Sequence, residues 1–300
     1  MGPRPIDLHL AALKKLGVKI TEDHGYLNCS CEDGLYGTEI SLSFPSVGAT
    51  QNVMLTACCA QGETILNNAA REPEIVDLQN FLNACGAKVS GAGESTIAIQ
   101  GVPELSGCSY TVMPDRIVAA TYLAAGAITG GNIVVHRALQ QHLTAVLPAF
   151  EEMGCRIRVH GDSVSLWAPR RLKPLYLVRT MPYPGFPTDA QAPMMALATV
   201  AKGTSVFVEN IFESRYKHVE ELARMGANIK VQGRVAVVEG VGTLHSAKVC
   251  STDLRGGAAL VLAGLAAQGT TQLTDLKHID RGYDALEQSL SRLGAKITRE

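Results

Sequence analysis

The 300 residues are 46% hydrophobic and 18% charged, enough apolar material for one large core or two smaller ones, which excludes a disordered chain. A net charge of −1 excludes a general nucleic-acid or membrane-surface protein, because both partners demand a broad basic face. The most apolar stretches, residues 117–127 and 258–267, are too short to cross a bilayer and read as buried helices.

In chain order, a helix is expected over residues 5–16, then a hairpin through Gly25 that ends at Cys31. Residues 39–44 alternate like a strand. Ser46 follows as a helix cap, and an apolar helix runs to residue 60. Gly62 ends that helix before a strand at 64–67. Pro73 opens a second helix that closes at Gly86, and strands 88–90 and 96–100 form a hairpin. The order is β-α-β-α-β-β. It is expected again from Ser109 to Ala168, from Tyr176 to Val241, and from Ala247 onward.

The repeat has a period. Gly17, Gly86, Gly154, Gly226 and Gly294 each close a helix ahead of a short strand, at intervals of 69, 68, 72 and 68 residues. Gly62, Gly131, Gly203 and Gly269 keep the same register. The first helix of each unit carries few charges, and a helix apolar all round must be enclosed. The fold class is therefore α/β, with repeated units that place these helices inside and sheets outside. Residues 1–31 amount to the back half of a unit and the last unit lacks its return strand, so the chain is expected to be incomplete at its N-terminus, the alternative being that something else covers two buried faces.

Chemistry is expected where first strands meet first helices, because helix N-termini present unpaired N–H groups. Those junctions read Pro45-Ser46-Val47-Gly48, Pro114-Asp115-Arg116, Pro187-Thr188-Asp189 and Thr252-Asp253-Leu254-Arg255. Arg215, Arg255 and Arg281 recur at helix entrances of the last two units and with Arg4 are expected to converge on one polyanion. The plainer alternative has each arginine solvating a helix end or pairing with Asp253 or Asp280. Asp189 is either an ordinary cap or a carboxylate kept ionised by arginines and able to take a proton from a hydroxyl. His218 and His278 read as partly buried structural residues, and Cys58, Cys59 and Trp167 as packing. Eight cysteines without a CxxC pair, and no secretory signal, fit reduced thiols in a cytoplasmic protein; no metal or cofactor is expected.

Several segments carry a resemblance. Gly2-Pro3-Arg4-Pro5-Ile6-Asp7-Leu8-His9, Pro45-Ser46-Val47-Gly48-Ala49-Thr50, Ala70-Arg71-Glu72-Pro73-Glu74, Phe186-Pro187-Thr188-Asp189, Thr252-Asp253-Leu254-Arg255 and His278-Ile279-Asp280-Arg281-Gly282-Tyr283 resemble the UDP-N-acetylglucosamine 1-carboxyvinyltransferases. These enolpyruvyl transferases begin bacterial peptidoglycan precursor synthesis. The resemblance implies two inside-out α/β domains with a cleft between them, here residues 1–112 (partial) and 113–300. Six units at about 69 residues need roughly 415 residues, so roughly 115 are expected to be absent.

The implied reaction moves the enolpyruvyl group of phosphoenolpyruvate to the sugar 3-hydroxyl through a tetrahedral ketal, releasing phosphate. By resemblance, Asp189 is the base, and Arg4, Arg255 and Arg281 hold phosphate and carboxylate, with Arg215 nearby. Arg4, Pro5, Ile6, Asp7 and Leu8, with Phe44, Pro45, Ser46, Val47 and Gly48, border the UDP moiety. Asp253 and Ile211 contact substrate. Phe44 departs from the pattern, since some members carry Lys there. The family's general-acid cysteine lies upstream of Met1 by this alignment. Two other readings stand beside this one: a non-catalytic binder of the sugar nucleotide, and a transferase acting on shikimate 3-phosphate, against which the Arg4–His9 and Arg281–Tyr283 motifs argue.

Overall fold

The computed structural model describes residues 6–300, and the chain divides into two compact units, one up to Met113 and one from Pro114 onward. Arg4 and Pro5 lie outside the described residues.

The first unit opens with helix α1 (Asp7–Lys15) and a hairpin of strands β1 (Lys19–Asp23) and β2 (Tyr26–Ser30). One full repeat follows: β3 (Glu39–Ser41), α2 (Val47–Ala57), β4 (Glu63–Asn67), α3 (Pro73–Ala84), β5 (Lys88–Ser90) and β6 (Thr96–Gln100). Its sheet has the order β3-β4-β6-β5. β3 and β4 are parallel, so the chain must cross over between them, and α2 is that crossover. The inward positions of β4 and β6 alternate, placing Leu66, Ile97 and Ile99 against Val53 and Met54 of α2 in one core. Each such buried aliphatic contributes roughly 1.5–3 kcal/mol relative to exposure.

α2 stops at Ala57, short of the expected residue 60. Cys58 is its buried C-cap and Cys59 is exposed, so only one of the two thiols is packing. The strand expected to start at Ser109 does not form. Residues 107–113 hang instead on α3, where Asp77 Oδ1 accepts from Tyr110 Oη at 2.8 Å and from the Met113 N–H at 3.2 Å. A carboxylate thus takes the Met113 N–H that a sheet ladder was expected to pair, and the Tyr110 hydroxyl besides.

In the second unit come α4 (Arg116–Ile128), β7 (Asn132–Val135), a 3-10 turn Gln140–His142, α5 (Leu147–Glu152), β8 (Arg156–His160) and β9 (Ser163–Trp167). The next repeat holds β10 (Val178–Arg179), α6 (Thr188–Thr199), β11 (Thr204–Val208), α7 (Val219–Arg224), β12 (Asn228–Gln232) and β13 (Val235–Glu239). The last holds β14 (Lys248–Cys250), α8 (Leu254–Ala266), β15 (Gln272–Thr274), α9 (Lys277–Asp280) and α10 (Leu286–Arg292).

The inside-out arrangement is present. α4, α6 and α8 pack on one another, and α6 is buried at each position from Ala190 to Thr199. Three sheets surround them, in the orders β7-β9-β8, β10-β11-β13-β12 and β14-β15. Among the described residues the last sheet has two strands: residues 295–300 run without regular structure, with Ala295 and Ile297 packed on the core. Arg299 forks onto Asp280 at 2.9 and 2.7 Å, so Asp280 pairs with an arginine, though one not singled out from the sequence. Trp167 is 36% exposed with the Arg158 guanidinium 5.8 Å from its ring centroid, a surface cation–π pair rather than core packing.

Candidate functional site

α6 begins at Thr188 because Pro187, which has no backbone N–H to donate, enters in an extended conformation. Asp189 therefore falls in the first turn, where the helix dipole favours a negative charge. It is not a cap: the N-cap is Pro187, and Asp189 instead receives two guanidinium groups. Arg215 Nη2 donates to its Oδ1 at 2.6 Å, and Arg255 Nε to the same oxygen at 3.3 Å. Both arginine side chains are 12% exposed, while that of Asp189 is 44% exposed, so the carboxylate keeps an open side.

The electrostatics follow from the geometry. Desolvation, the largest influence on Asp189, disfavours its charged form, but Arg255 and Arg215 together outweigh it and hold the carboxyl below its ordinary range. Arg255 is desolvated as well, yet Tyr283 and Asp189 keep its proton bound more tightly than usual. Asp189 is thus ionised near neutral pH and Arg255 is charged.

Arg255 is positioned from two sides. Asp253 caps α8, its Oδ1 accepting from the N–H groups of Arg255 at 3.0 Å and Gly256 at 2.9 Å. A Cβ at Gly256 would lie 2.9 Å from both Asp253 Oδ2 and the Cβ of His218, so the turn closes only around a glycine. From the other side, Arg255 Nη1 donates to Tyr283 Oη at 3.1 Å, and that hydroxyl meets Thr121 Oγ1 of α4 at 2.9 Å. Arg281, exposed, caps α9 two residues before Tyr283, which brings the stretch bearing it to the same end of α8.

Arg215 lies over the Phe212 ring at 5.3 Å from the centroid, and its Nε is buried with no hydrogen-bond partner among the described residues. Ile211 and Phe212 are held by a residue the sequence reading overlooked. Glu209 is 1% exposed, and its Oε1 accepts from Ile211 N at 2.7 Å, Phe212 N at 3.0 Å and Thr180 Oγ1 at 2.9 Å. Its Oε2 accepts from Thr188 Oγ1 at 2.9 Å and Gln191 Nε2 at 3.0 Å. The signal was available: Ser205, Phe207 and Glu209 share the inward face of β11 and its extension by period two.

His218 is fully buried rather than partly so, and neither ring nitrogen has a hydrogen-bond partner among the described residues. Burial pushes its pKa down to about 4, which makes it a neutral wall behind Arg215 and Asp253. Tyr216 is pushed up to about 12, first by burial and then by Glu209, which removes it from acid–base work near neutrality. Burial likewise raises Cys58 and Cys155 to about 11.

In the first unit the remaining predicted residues gather where α1 and α2 pack together. Asp7 starts α1, Ile6 precedes it and is exposed, and Leu8 lies against the core. Pro45 leads to Ser46, whose Oγ accepts from Ala49 N at 3.3 Å as the expected cap; Val47 opens the helix and Phe44 is 40% exposed. Gly48 is glycine for a reason: an added Cβ would stand 2.8 Å from the His9 ring, which is itself held by Asn52 at 2.7 Å. No group of three or more potential metal ligands occurs among the described residues.

The comparisons bear on the family and the fold. The family model of EPSP synthase (3-phosphoshikimate 1-carboxyvinyltransferase) matches residues 1–290. The UDP-N-acetylglucosamine 1-carboxyvinyltransferase 1 of Symbiobacterium thermophilum is 56% identical over 299 residues, covering 100% of this chain and 68% of that protein. A second, from Caldanaerobacter subterraneus subsp. tengcongensis, is 52% identical over 299 residues and is covered to 72% of its length. Among solved structures, the enolpyruvyl transferase NikO from Streptomyces tendae superposes with a TM-score of 0.88 at 26% identity, over 98% of this chain and 72% of that one. An EPSP synthase from Acinetobacter baumannii, at 20% identity and a TM-score of 0.70 over 97% of this chain and 71% of that one, shares the fold. By fold, by repeat and by identity along its whole length, the chain belongs to the enolpyruvyl transferases and, within them, to the UDP-N-acetylglucosamine 1-carboxyvinyltransferase family.

Proposed function

We propose that this chain takes phosphoenolpyruvate and UDP-N-acetylglucosamine as substrates, supplying the base and the anion cradle for transfer of the enolpyruvyl group to the sugar 3-hydroxyl with release of phosphate. The observation that carries the reading is the Asp189 carboxylate held ionised by Arg215 and Arg255. Asp189 takes the hydroxyl proton as the oxygen adds to C2 of phosphoenolpyruvate. Arg255 and Arg281, with Arg4, neutralise the phosphate and carboxylate of the substrate and of the ketal that follows. A guanidinium–carboxylate cluster suits that task, because planar forks bind both anions bidentately.

The cluster also contains a means of tuning the base. Without substrate, two guanidinium groups depress the basicity of Asp189. An arriving anion shares their charge, so the carboxylate becomes a better proton acceptor when the substrate is present. Ile6, Asp7, Leu8 and the segment from Phe44 to Gly48 are assigned to the UDP moiety, with Pro5 beside them, and Ile211 and Asp253 to the sugar nucleotide. The product is the first committed intermediate of peptidoglycan synthesis, made in the cytoplasm. The proton that the methylene carbon must gain comes from a general acid other than Asp189.

Calorimetric titration with each substrate, with phosphate release followed in parallel, tests this reading. Binding of both is expected, and absence of binding for either overturns the assignment. Phosphate release reports separately whether a general acid is present among these residues, since removing one costs about 10²–10⁴ in rate. Normal turnover would show that the proton donor lies within the chain.

A further inference from the structure

Among the eight cysteines, Cys85 and Cys108 bring their sulfurs within reach of each other, 3.4 Å apart. Cys85 is the C-cap of α3 and is 8% exposed, while Cys108, 23 positions further on, is exposed. The approach is built from both flanks of Cys108. On one side the backbone N–H and the hydroxyl of Ser106 both donate to the Cys85 carbonyl, at 2.8 and 3.2 Å. On the other, Tyr110 donates to Asp77 of α3, and its ring stands edge-on to Phe81 with centroids 5.6 Å apart.

We propose that Cys85 and Cys108 form a reversible thiol–disulfide modification site, oxidised by a low-molecular-weight disulfide of the glutathione type. Closing the bond requires the sulfurs to approach by about 1.4 Å. Residues 107–113 carry no helix or strand, so side-chain rotation and a small shift of that segment meet the requirement without breaking a ladder. The exposed Cys108 thiolate attacks one sulfur of the small disulfide, giving a mixed disulfide and one small thiol. The Cys85 thiolate then attacks the Cys108 sulfur, forming the protein disulfide and expelling the second small thiol. Two protein thiols are oxidised and one small disulfide is reduced to two thiols, so electrons and protons balance.

The consequence is a covalent tie between the end of α3 and the segment that leads to Pro114. It constrains the unfolded chain, and the oxidised protein is expected to melt at a higher temperature than the reduced one. The site is independent of enolpyruvyl transfer and stands whether or not the chain binds either substrate.

The test equilibrates the reduced chain with glutathione disulfide, blocks remaining thiols by alkylation, and maps peptides by mass spectrometry without reductant. The expected result is a linked pair of peptides carrying Cys85 and Cys108, lost on treatment with dithiothreitol. Cys85→Ser is expected to stop at the first step, leaving glutathione attached to Cys108. Cys108→Ser, at an exposed position, is expected to give neither product, with the rise in melting temperature abolished. Alkylation of both cysteines in the oxidised wild-type sample, a glutathione adduct that persists on wild-type Cys108, or a link from Cys108 to another cysteine would each overturn the proposal. The wild-type map decides the matter even where a substitution impairs folding.

Discussion

Two repeats build the same sheet and surround it with different chemistry. β3-β4-β6-β5 and β10-β11-β13-β12 share strand order and direction, down to the pairing of Glu63 with Gln100 and of Thr204 with Glu239 at equivalent positions. Their helix entrances diverge. α2 is capped by a neutral Ser46, whereas α6 carries Asp189 in its first turn beneath two guanidinium groups. The residue after the second strand diverges too: Asn68 makes one bond, to Leu42 O at 2.8 Å, where Glu209 gathers five. Sheet topology rests on apolar alternation, which both repeats keep. Charge at the helix entrances is free to vary, and that freedom lets one repeat contribute a reactive cluster.

The sharpest way to break the comparison is through the arginines. Arg255→Ala is expected to weaken phosphoenolpyruvate or inorganic phosphate binding by about 2–5 kcal/mol, the usual result of removing one member of a close charge pair. Asp189→Asn is expected to act with the opposite sign, tightening inorganic phosphate, because Arg215 and Arg255 lose their internal competitor. Calorimetry on both variants measures the two signs together, and equal weakening by both would remove the competition on which the base-tuning argument rests.

Glu209→Ala against Asn68→Ala is the next contrast. The first strands five donors around a buried position and is expected to cost roughly 3 kcal/mol or more of folding stability; the second loses one bond and leaves alanine at a φ of 54°, together about 1–2 kcal/mol. Urea denaturation midpoints at constant slope report the difference. A comparable loss in both variants would mean that the Glu209 network holds the 210–212 turn no more tightly than a single amide does.

His218 supplies a pH contrast of similar size. Its folded pKa, about 4, lies below the ordinary 6.5, so the unfolded chain binds more protons between those values. Stability is therefore expected to be fully present above pH ~6.5 and to fall as pH drops toward ~4, by on the order of 3 kcal/mol. His218→Gln should flatten that limb of a melting-temperature profile. Asp189, lowered from 3.8, contributes stability above its unfolded value that is lost only at more acid pH, so the two windows separate. An unchanged limb in the variant would exclude His218 as its source.

The smallest effect concerns the caps. Ser46→Ala is expected to cost about 1 kcal/mol through loss of one N-terminal bond. Asp115→Ala removes two, to Ile117 N at 2.7 Å and Val118 N at 3.0 Å, and should cost more. Differential scanning calorimetry resolves the order, and reversal would show that the charge on Asp115 adds nothing to the cap.

Much of the fold was legible because it is local. The hairpin strands 88–90 and 96–100 and the cap at Ser46 rest on interactions between residues close in sequence, and the period near 70 repeats that local pattern. The missing strand at Ser109 was not legible, since strand formation needs a partner and Asp77 of α3 supplied the competing bonds. Nor was the depth of His218, because burial depends on α8 arriving over it at Gly256.

Sequence by itself determined the repeat, the fold class and the identities of the charged residues, since periodic burial and helix capping act over a few residues. Only tertiary structure decided which charges meet. Asp189 finds Arg215 from 26 positions away and Arg255 from 66, and Arg255 in turn finds Tyr283. Contacts at that separation follow from how α4, α6 and α8 pack, and packing geometry leaves no periodic mark on the chain.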